Sequence, residues 1–289
     1  MKRTLRLSYG MYILSMLIFG TNGILVHHIS LASSQIILMQ TLIGGLLLTL
    51  MVLLRGGFDR AGIRADLLPL LLGGSVLGLN WVALFEAYRQ LNVSLATLIY
   101  YVGPILVLLF SPVLFREKLN SRKITSVVLV AVGLVCISGS IALRGMSMRG
   151  LLTAVVSALF YAAVIIFNKR ITHTGGMQTA ALELDIAFVI VLIYMMLTVG
   201  LPHPAVSDNI PWIAVIGLVN TGLAYLLYFS GLQKLPAQSA ALISYVDPVS
   251  ALVFSALFLH ETMTPVQILG AVLIIGGAVF GELKSRNQN

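Results

Sequence analysis

Two stretches of the chain decide its fold: residues 91–104 read LNVSLATLIYYVGP, and residues 235–248 read LPAQSAALISYVDP. They align at a shift of 144 positions, and the alignment continues without a gap as far as residues 117 and 261. Eleven of these 27 positions are identical, and the identities include the pairs Tyr101/Tyr245, Pro104/Pro248 and Glu117/Glu261. Shared hydrophobicity would not also match a tyrosine, a proline and a glutamate. The pattern therefore predicts an internal duplication.

The composition around these stretches indicates a membrane protein. The chain has 289 residues, of which 58% are hydrophobic and 10% are charged, and its mean hydropathy is +1.00. A soluble domain is about 45–50% apolar and about 25% charged. So few charges cannot cover a soluble surface of this size, and a single cysteine, Cys136, excludes a disulfide scaffold. We therefore expect an integral membrane protein in contact with the lipid bilayer.

Ten segments are each apolar and long enough to cross a bilayer, which takes about 20 residues as a helix. The predicted fold is an all-α polytopic membrane protein with ten transmembrane helices. The predicted spans are 8–28, 34–54, 67–89, 95–115, 123–142, 150–168, 178–200, 210–232, 238–259 and 265–282. The first is interpreted as a retained helix, because it lacks a signal-peptide cleavage site and nine spans follow it.

The basic residues orient these spans, because lysine and arginine concentrate in cytoplasmic loops. Of the 18 basic residues, 15 fall at the two chain ends and in the loops after even-numbered spans. Only Arg89, Arg144 and Arg149 fall on the opposite side. Both termini are therefore predicted to be cytoplasmic, in a multi-pass protein of the inner (plasma) membrane.

Duplication of a five-helix unit inverts the second copy, because five is an odd number. We expect two inverted five-helix repeats, residues 1–145 and 146–289. Inverted repeats are typical of secondary transporters, whose site lies between the halves and is exposed alternately to each side. The alternative is a duplication retained for folding alone.

The residues of the duplication resemble those of EamA-type carriers of the drug/metabolite transporter superfamily. The resemblance rests on segments 83–88 (ALFEAY), 95–98 (LATL), 103–104 (GP), 116–119 (REKL), 240–248 (AALISYVDP) and 259–261 (LHE). It implies ten helices in two inverted halves and a central cavity lined chiefly by helices 1, 3, 4, 6, 8 and 9. It also implies transport of small metabolites, often efflux of amino acids.

The chain departs from these carriers in its second helix. Such proteins often have an arginine there, where this chain has Gln40, and the counterpart in the seventh helix is Glu183. A mechanism that relies on the charge of that arginine therefore does not transfer to this chain.

Asp247 is the acid most suited to a role in transport. It precedes Pro248, about ten residues into the ninth span, where the proline leaves a backbone carbonyl without its helical partner. A carboxylate at this depth is costly without a partner or a cavity. We predict that Asp247 binds an ammonium group of the substrate or couples protons. The alternative is a bond to a neighbouring hydroxyl or backbone group that stabilises a kink.

Glu183 and Asp185 in the seventh span are further coupling candidates. Because they are two residues apart, they point in different directions on a helix, and at most one readily faces a shared cavity. The alternative is that each bonds a polar group of an adjacent helix. A fourth acid, Glu86, is expected to pair with Arg89 at the external end of the third span.

Aromatic and amide side chains can line an amphipathic pocket, where aromatic faces attract cations. The predicted substrate-binding residues of this kind are Asn22, Asn80, Trp81, Tyr101, Tyr225, Tyr228 and Tyr245. The alternative for some of them is a place in the interfacial aromatic belt. Gly103, Pro104 and Pro248 are the predicted hinge residues.

The predicted function is a secondary active transporter that moves a small metabolite by alternating access, preferably by efflux of an amino acid or related compound. Uptake of a vitamin, nucleoside or organic cation is an alternative. A non-transporting scaffold or an intramembrane enzyme is an alternative of another class. No catalytic, metal-binding or ATP-binding motif is found, so we expect no enzyme activity, cofactor or nucleic-acid partner. Gly277 and Gly281 permit either a weak dimer or packing within a monomer.

Overall fold

The computed structural model describes residues 2–91, 93–138, 147–198, 200, 209–260 and 262–282. All regular structure in these residues is helical. Arg144, Glu261 and the basic residues of the C-terminal end, Lys284 and Arg286, lie outside the described residues.

The helices of the described residues are named in chain order. They are α1 Lys2–Gly20, α2 Asn22–His27, α3 Ser33–Leu54, α4 Arg60–Ala65, α5 Leu67–Gln90, α6 Val93–Tyr100, α7 Val102–Phe115, α8 Ser121–Ser138, α9 Met148–Asn168, α10 Gly176–Thr198, α11 Ile210–Val215, the π-helical segment Ile216–Leu223, α12 Ala224–Leu232, α13 Ala237–Ile243, α14 Val246–Phe258 and α15 Pro265–Glu282.

Nine segments of the described chain are long and apolar enough to cross a membrane. They coincide with the predicted spans, apart from the fifth. The predicted fifth span, 123–142, overlaps helix α8, and its remaining residues from 139 onward lie outside the described residues. The regular structure of the described residues is therefore entirely helical, as in a multi-pass membrane protein.

Two spans are interrupted at matching places. The break between α6 and α7 falls at Tyr101, and the break between α13 and α14 falls at Ser244 and Tyr245. Each break lies three or four residues before a proline, Pro104 or Pro248, rather than at the proline. Proline has no N–H for the carbonyl four residues earlier, so the regular hydrogen-bond ladder fails there and the proline lies in the first turn of the next helix.

A third interruption lies between α1 and α2 at Thr21. Asn220, from the π-helical segment, donates through Nδ2 to the Ile18 carbonyl at 2.8 Å, to Thr21 Oγ1 at 2.9 Å and to Asn22 Oδ1 at 2.9 Å. The Asn220 amide thus ties the π-helical segment to the break between α1 and α2.

Small residues bring the long helices close together. Gly133 of α8 faces the carbonyl of Gly270 in α15, and Gly277 faces the Ser126 carbonyl. Ser126 also donates to the Gly277 carbonyl at 2.6 Å. Gly281 packs against Leu242 of α13 and Ser126 of α8. The face of α15 that carries Gly277 and Gly281, which could have formed a dimer contact, is therefore covered by helices of the same chain. Elsewhere α5 packs on α9 and α10, α3 on α10, and α1 on α12 and α14.

Candidate functional site

A cavity of about 180 Å³ lies among the interrupted helices. Its described lining residues come from α1, α2, α5, α6, α9, α12 and α14: Met16, Phe19, Asn22, Leu77, Asn80, Trp81, Leu84, Tyr100, Tyr161, Val164, Tyr225, Tyr228 and Asp247. At about 30 Å³ for each water of the liquid, it has room for roughly six waters or one small solute. We call it the central cavity.

Asp247 lies at the wall of the central cavity, in the first turn of α14. Its Oδ2 accepts a hydrogen bond from the Tyr101 hydroxyl at 3.0 Å. The Tyr245 hydroxyl donates in turn to the Tyr101 carbonyl at 2.8 Å. Tyr101 and Tyr245 are buried behind the carboxylate and do not line the cavity. These three residues link the breaks of the two interrupted spans directly.

Aromatic rings form most of the remaining wall. Trp81 meets Tyr225 edge to face, with ring centroids 5.6 Å apart. Tyr100 meets Tyr161 in the same way at 5.1 Å. Tyr228 stands beside Tyr225 at 5.8 Å. Edge-to-face pairs hold aromatic rings in fixed orientations, so the shape of the wall is set by packing among its own members.

The two predicted amides serve packing as well as the cavity. Asn80 is buried and donates through Nδ2 to the Ser157 carbonyl at 2.7 Å, which joins α5 to α9. Asn22 accepts from Asn220 at the break between α1 and α2. Both residues line the central cavity, but each has a partner in the protein.

Glu183 and Asp185 lie outside the central cavity and point in different directions. Glu183 is fully buried and accepts from Asn168 Nδ2 at 2.9 and 3.0 Å. Asp185 accepts from the Thr49 hydroxyl at 2.6 Å. Each acid is therefore bonded to a polar group of an adjacent helix. Glu86 pairs with Arg89 at 2.9 Å, as the sequence predicted.

A second cavity, of about 220 Å³, adjoins the central cavity towards the predicted external end, and we call it the external pocket. The two share Asn22, Trp81 and Leu84. The external pocket is otherwise lined by Val26, Ser33, Ile36, Ile37, Gln40, Phe85, Tyr88 and Ile216. Its described lining contains no charged side chain, and Gln40, the departure noted in the second helix, is part of it.

The predicted cytoplasmic end is closed by polar contacts between helix ends. Glu117, after α7, accepts from the backbone N–H groups of Ala237 at 2.7 Å and Gln238 at 3.0 Å. These are unpaired donors of the first turn of α13, so the glutamate caps that helix. The side chain of Gln238 donates to Ser111 Oγ at 2.7 Å.

Lys169 completes this closure, which we call the cytoplasmic seal. Its Nζ donates to the carbonyls of Leu232 at 3.2 Å and Gln233 at 3.3 Å, and to that of Leu235. These carbonyls lie at and beyond the end of α12, where a helix leaves acceptors unpaired and favours a cation. Burial lowers the pKa of Lys169 from its usual 10.5.

Asp66 fixes a loop at the same end. Its carboxylate accepts from the backbone N–H groups of His173 and Thr174, both at 2.7 Å, and from His173 Nδ1 at 3.0 Å. Burial alone would raise the pKa of Asp66. The hydrogen bond from the His173 ring and those from the backbone outweigh it and hold the pKa at about 2, below the usual 3.8.

The comparison with known proteins agrees with this architecture. The model of the EamA-like transporter family matches the chain twice, over residues 6–139 and 148–281. The chain belongs to the EamA-like transporter family. This EamA-like chain also shares its fold with a solved crystal structure at a TM-score of 0.83, with 18% identity, 95% of this chain and 97% of the other covered.

Several curated relatives of this EamA-like chain are named as transporters rather than enzymes. It is 31% identical to "Uncharacterized transporter YxxF" of Bacillus subtilis, over 92% of this chain and 86% of that protein. It is 27% identical to a "Probable amino-acid metabolite efflux pump" of Salmonella typhimurium, over 65% of this chain and 68% of that protein. Both similarities extend over about two thirds or more of each protein.

Part of the site of this EamA-like chain was not among the predicted residues. Tyr161, Phe19 and Met16 line the central cavity. The residue that aligns with Tyr161 at a shift of 144 is Leu17, which is not aromatic, so the duplication does not indicate a role for Tyr161. Its position in the sixth span, which the family resemblance places at the cavity, is what could have indicated it.

Proposed function

We propose that the protein is a secondary active transporter that moves a small metabolite through the central cavity by alternating access. The observation that carries the proposal is Asp247 at the wall of a partly enclosed aromatic cavity, beside a helix break. A carboxylate at this depth needs a cavity or a partner, and here it has both a cavity and one neutral hydroxyl donor. Transporter sites are built from such interrupted helices near the bilayer midplane.

We further infer ten transmembrane helices in two inverted repeats, residues 1–145 and 146–289, with both termini cytoplasmic. Features that recur at a shift of 144 support this arrangement. Tyr101 and Tyr245 both lie at helix breaks. Arg116 and His260 both have a positive φ, of 56° and 55°, beyond the ends of α7 and α14. The double match of the family model supports the same division.

In the proposed orientation the described state is open towards the outside. The external pocket leads to the central cavity from the external end, and the cytoplasmic seal closes the other end. Transport then requires the seal to open while the external pocket closes. Gly103, Pro104 and Pro248, next to the two breaks, are the proposed hinges, because the missing backbone bonds make bending less costly there.

The proposed substrate is a small metabolite with a positively charged amino group, bound by Asp247 within the aromatic wall. Efflux of an amino acid or related compound is the preferred direction and class, supported by the name of the Salmonella relative. Uptake of an organic cation is the second candidate, favoured by the absence of a basic side chain among the described residues of the cavity lining. Asp247 is the proposed site of proton coupling, and the inner membrane is the proposed location.

The test is counterflow in proteoliposomes with a mixed panel of amino acids, amines, vitamins and nucleosides, with and without a pH gradient. The proposal predicts saturable exchange of at least one compound. Asp247→Asn should abolish exchange or its response to the pH gradient. Absence of exchange of every compound by folded protein would contradict the carrier function.

A further inference from the structure

We propose that the central cavity selects its solute by net charge, and accepts a small amine that bears a positive charge and no carboxylate. The inference rests on the proposed carrier function, and within it favours the second candidate, an organic cation, over the amino acid that the name of the Salmonella relative supports. It distinguishes simple amines from amino acids, which carry the same ammonium group together with a carboxylate.

The distribution of charge along the route carries the inference. Among the described residues that line the central cavity and the external pocket, Asp247 is the one carboxylate, and none is lysine, arginine or histidine. An ammonium group in the cavity therefore neutralises the one formal charge that its described lining residues carry. An amino acid would bring a second carboxylate into the same space with no cation to pair with it. A buried carboxylate without a cation carries a large desolvation cost.

The amide donors of the cavity do not replace the missing cation. Nδ2 of Asn80 donates to the backbone carbonyl and hydroxyl of Ser157, at 2.7 and 3.4 Å. Its donor group is therefore directed into the contact between α5 and α9. Asn22, the other amide of the lining, accepts from Asn220 through its Oδ1 at 2.9 Å, so its Nδ2 group is a neutral donor. A neutral amide donor offsets less of the desolvation cost of a buried carboxylate than a paired cation does.

The aromatic wall favours the same class of solute. Aromatic faces attract cations and repel anions, because the π-electron density lies above the ring. Trp81 and Tyr225, held edge to face, and Tyr100 and Tyr161, held in the same way, line the cavity that Asp247 also lines. A cation next to Asp247 can therefore interact with the carboxylate and with the faces of several aromatic rings.

The experiment compares three compounds with one ring and different charge: phenethylamine, phenylalanine and 3-phenylpropionate. Trp81 lines the cavity and is one of two tryptophans, so a Trp212→Phe protein reports binding through Trp81 fluorescence. We expect phenethylamine to bind about tenfold or more tightly than phenylalanine. We expect no saturable binding of 3-phenylpropionate.

Two variants test the source of the preference. Asp247→Asn should remove most of the difference between phenethylamine and phenylalanine. Gln40→Arg, which places a cation in the external pocket and leaves Asp247 in place, should shift the preference towards phenylalanine. Glu86→Gln is the matched control, because it removes an acid that is paired with Arg89 outside both cavities, and it should leave the preference unchanged.

The outcomes separate this inference from the carrier function. Equal binding of phenylalanine and phenethylamine, or an unchanged preference in Gln40→Arg, would overturn the selection by charge. Counterflow of phenylalanine without counterflow of phenethylamine would overturn it too, and would leave the carrier function supported. Failure of every compound in counterflow would remove the carrier function itself.

Discussion

The two ends of the molecule differ in the charge of the side chains that lie there. At the proposed external end, the pocket lined by Ile36, Gln40 and Tyr88 is uncharged among its described residues and adjoins the central cavity. At the proposed cytoplasmic end, Glu117 and Lys169 bond to the backbone groups that α13 and α12 leave unpaired. At that end the charged side chains on helix ends therefore add to a buried apolar cluster that includes Phe229, Leu232 and Leu242.

The largest expected effect is the difference in access between the two ends. In a Cys136→Ser background, Ser33→Cys should react with a polar thiol reagent about 100-fold faster than Ala180→Cys, since Ser33 is an exposed residue of the external pocket and Ala180 is fully buried on α10. The measurement is the labelling rate in oriented vesicles. Equal rates would contradict the closed cytoplasmic end.

Removal of the cap on α13 should open that end. Glu117→Ala loses two hydrogen bonds to a charged acceptor, worth about 1.5–3 kcal/mol each at most. We expect the labelling rate of Ala180→Cys to rise about tenfold or more. Glu117→Gln keeps one acceptor and should give a smaller rise. An unchanged rate in Glu117→Ala would mean that the cap does not hold the seal.

Removal of the lysine should have a similar but smaller effect. Lys169→Met keeps the apolar part of the side chain and loses the donors to the carbonyls of Leu232 and Gln233. We expect labelling of Ala180→Cys to rise about threefold to tenfold. Arg170→Met is the neighbouring control that removes a basic charge outside the seal. A larger effect in the control would argue for general electrostatics instead.

The smallest expected effect concerns stability rather than access. Because the pKa of Asp66 is held at about 2 in the folded protein, below the usual 3.8, its hydrogen bonds stabilise the fold fully above about pH 4 and are lost as the pH falls towards 2. Asp66→Asn should lower the unfolding temperature by a few degrees at pH 7. The variant and the original protein should converge as the pH approaches 2, and a constant difference would reject the linkage.

The helices and much of the cavity lining could be predicted from the sequence, because they depend on properties of single residues and of their neighbours along the chain. Asp247 beside Pro248 marks a polar group at a helix break, and Trp81 and Tyr225 are amphipathic rings on cavity-type helices. The bond from Tyr101 to Asp247 joins residues 146 positions apart, and its partners depend on how two breaks meet in space. The burial of Lys169 was not predictable in this way. A basic residue just after a span indicates the orientation of the helix in the membrane, and it does not indicate that the side chain will bond to a distant loop.

The glycine contacts between α8 and α15 have a mechanical consequence. Gly133 and Gly270 each face the other's carbonyl, and Ser126 donates to the Gly277 carbonyl about two helical turns further along the same contact. Neither helix lines the central cavity among the described residues. In the proposed transport cycle this contact would stay assembled while the helices around the cavity tilt, and an alanine at Gly133 would clash with the Gly270 carbonyl without touching the central cavity.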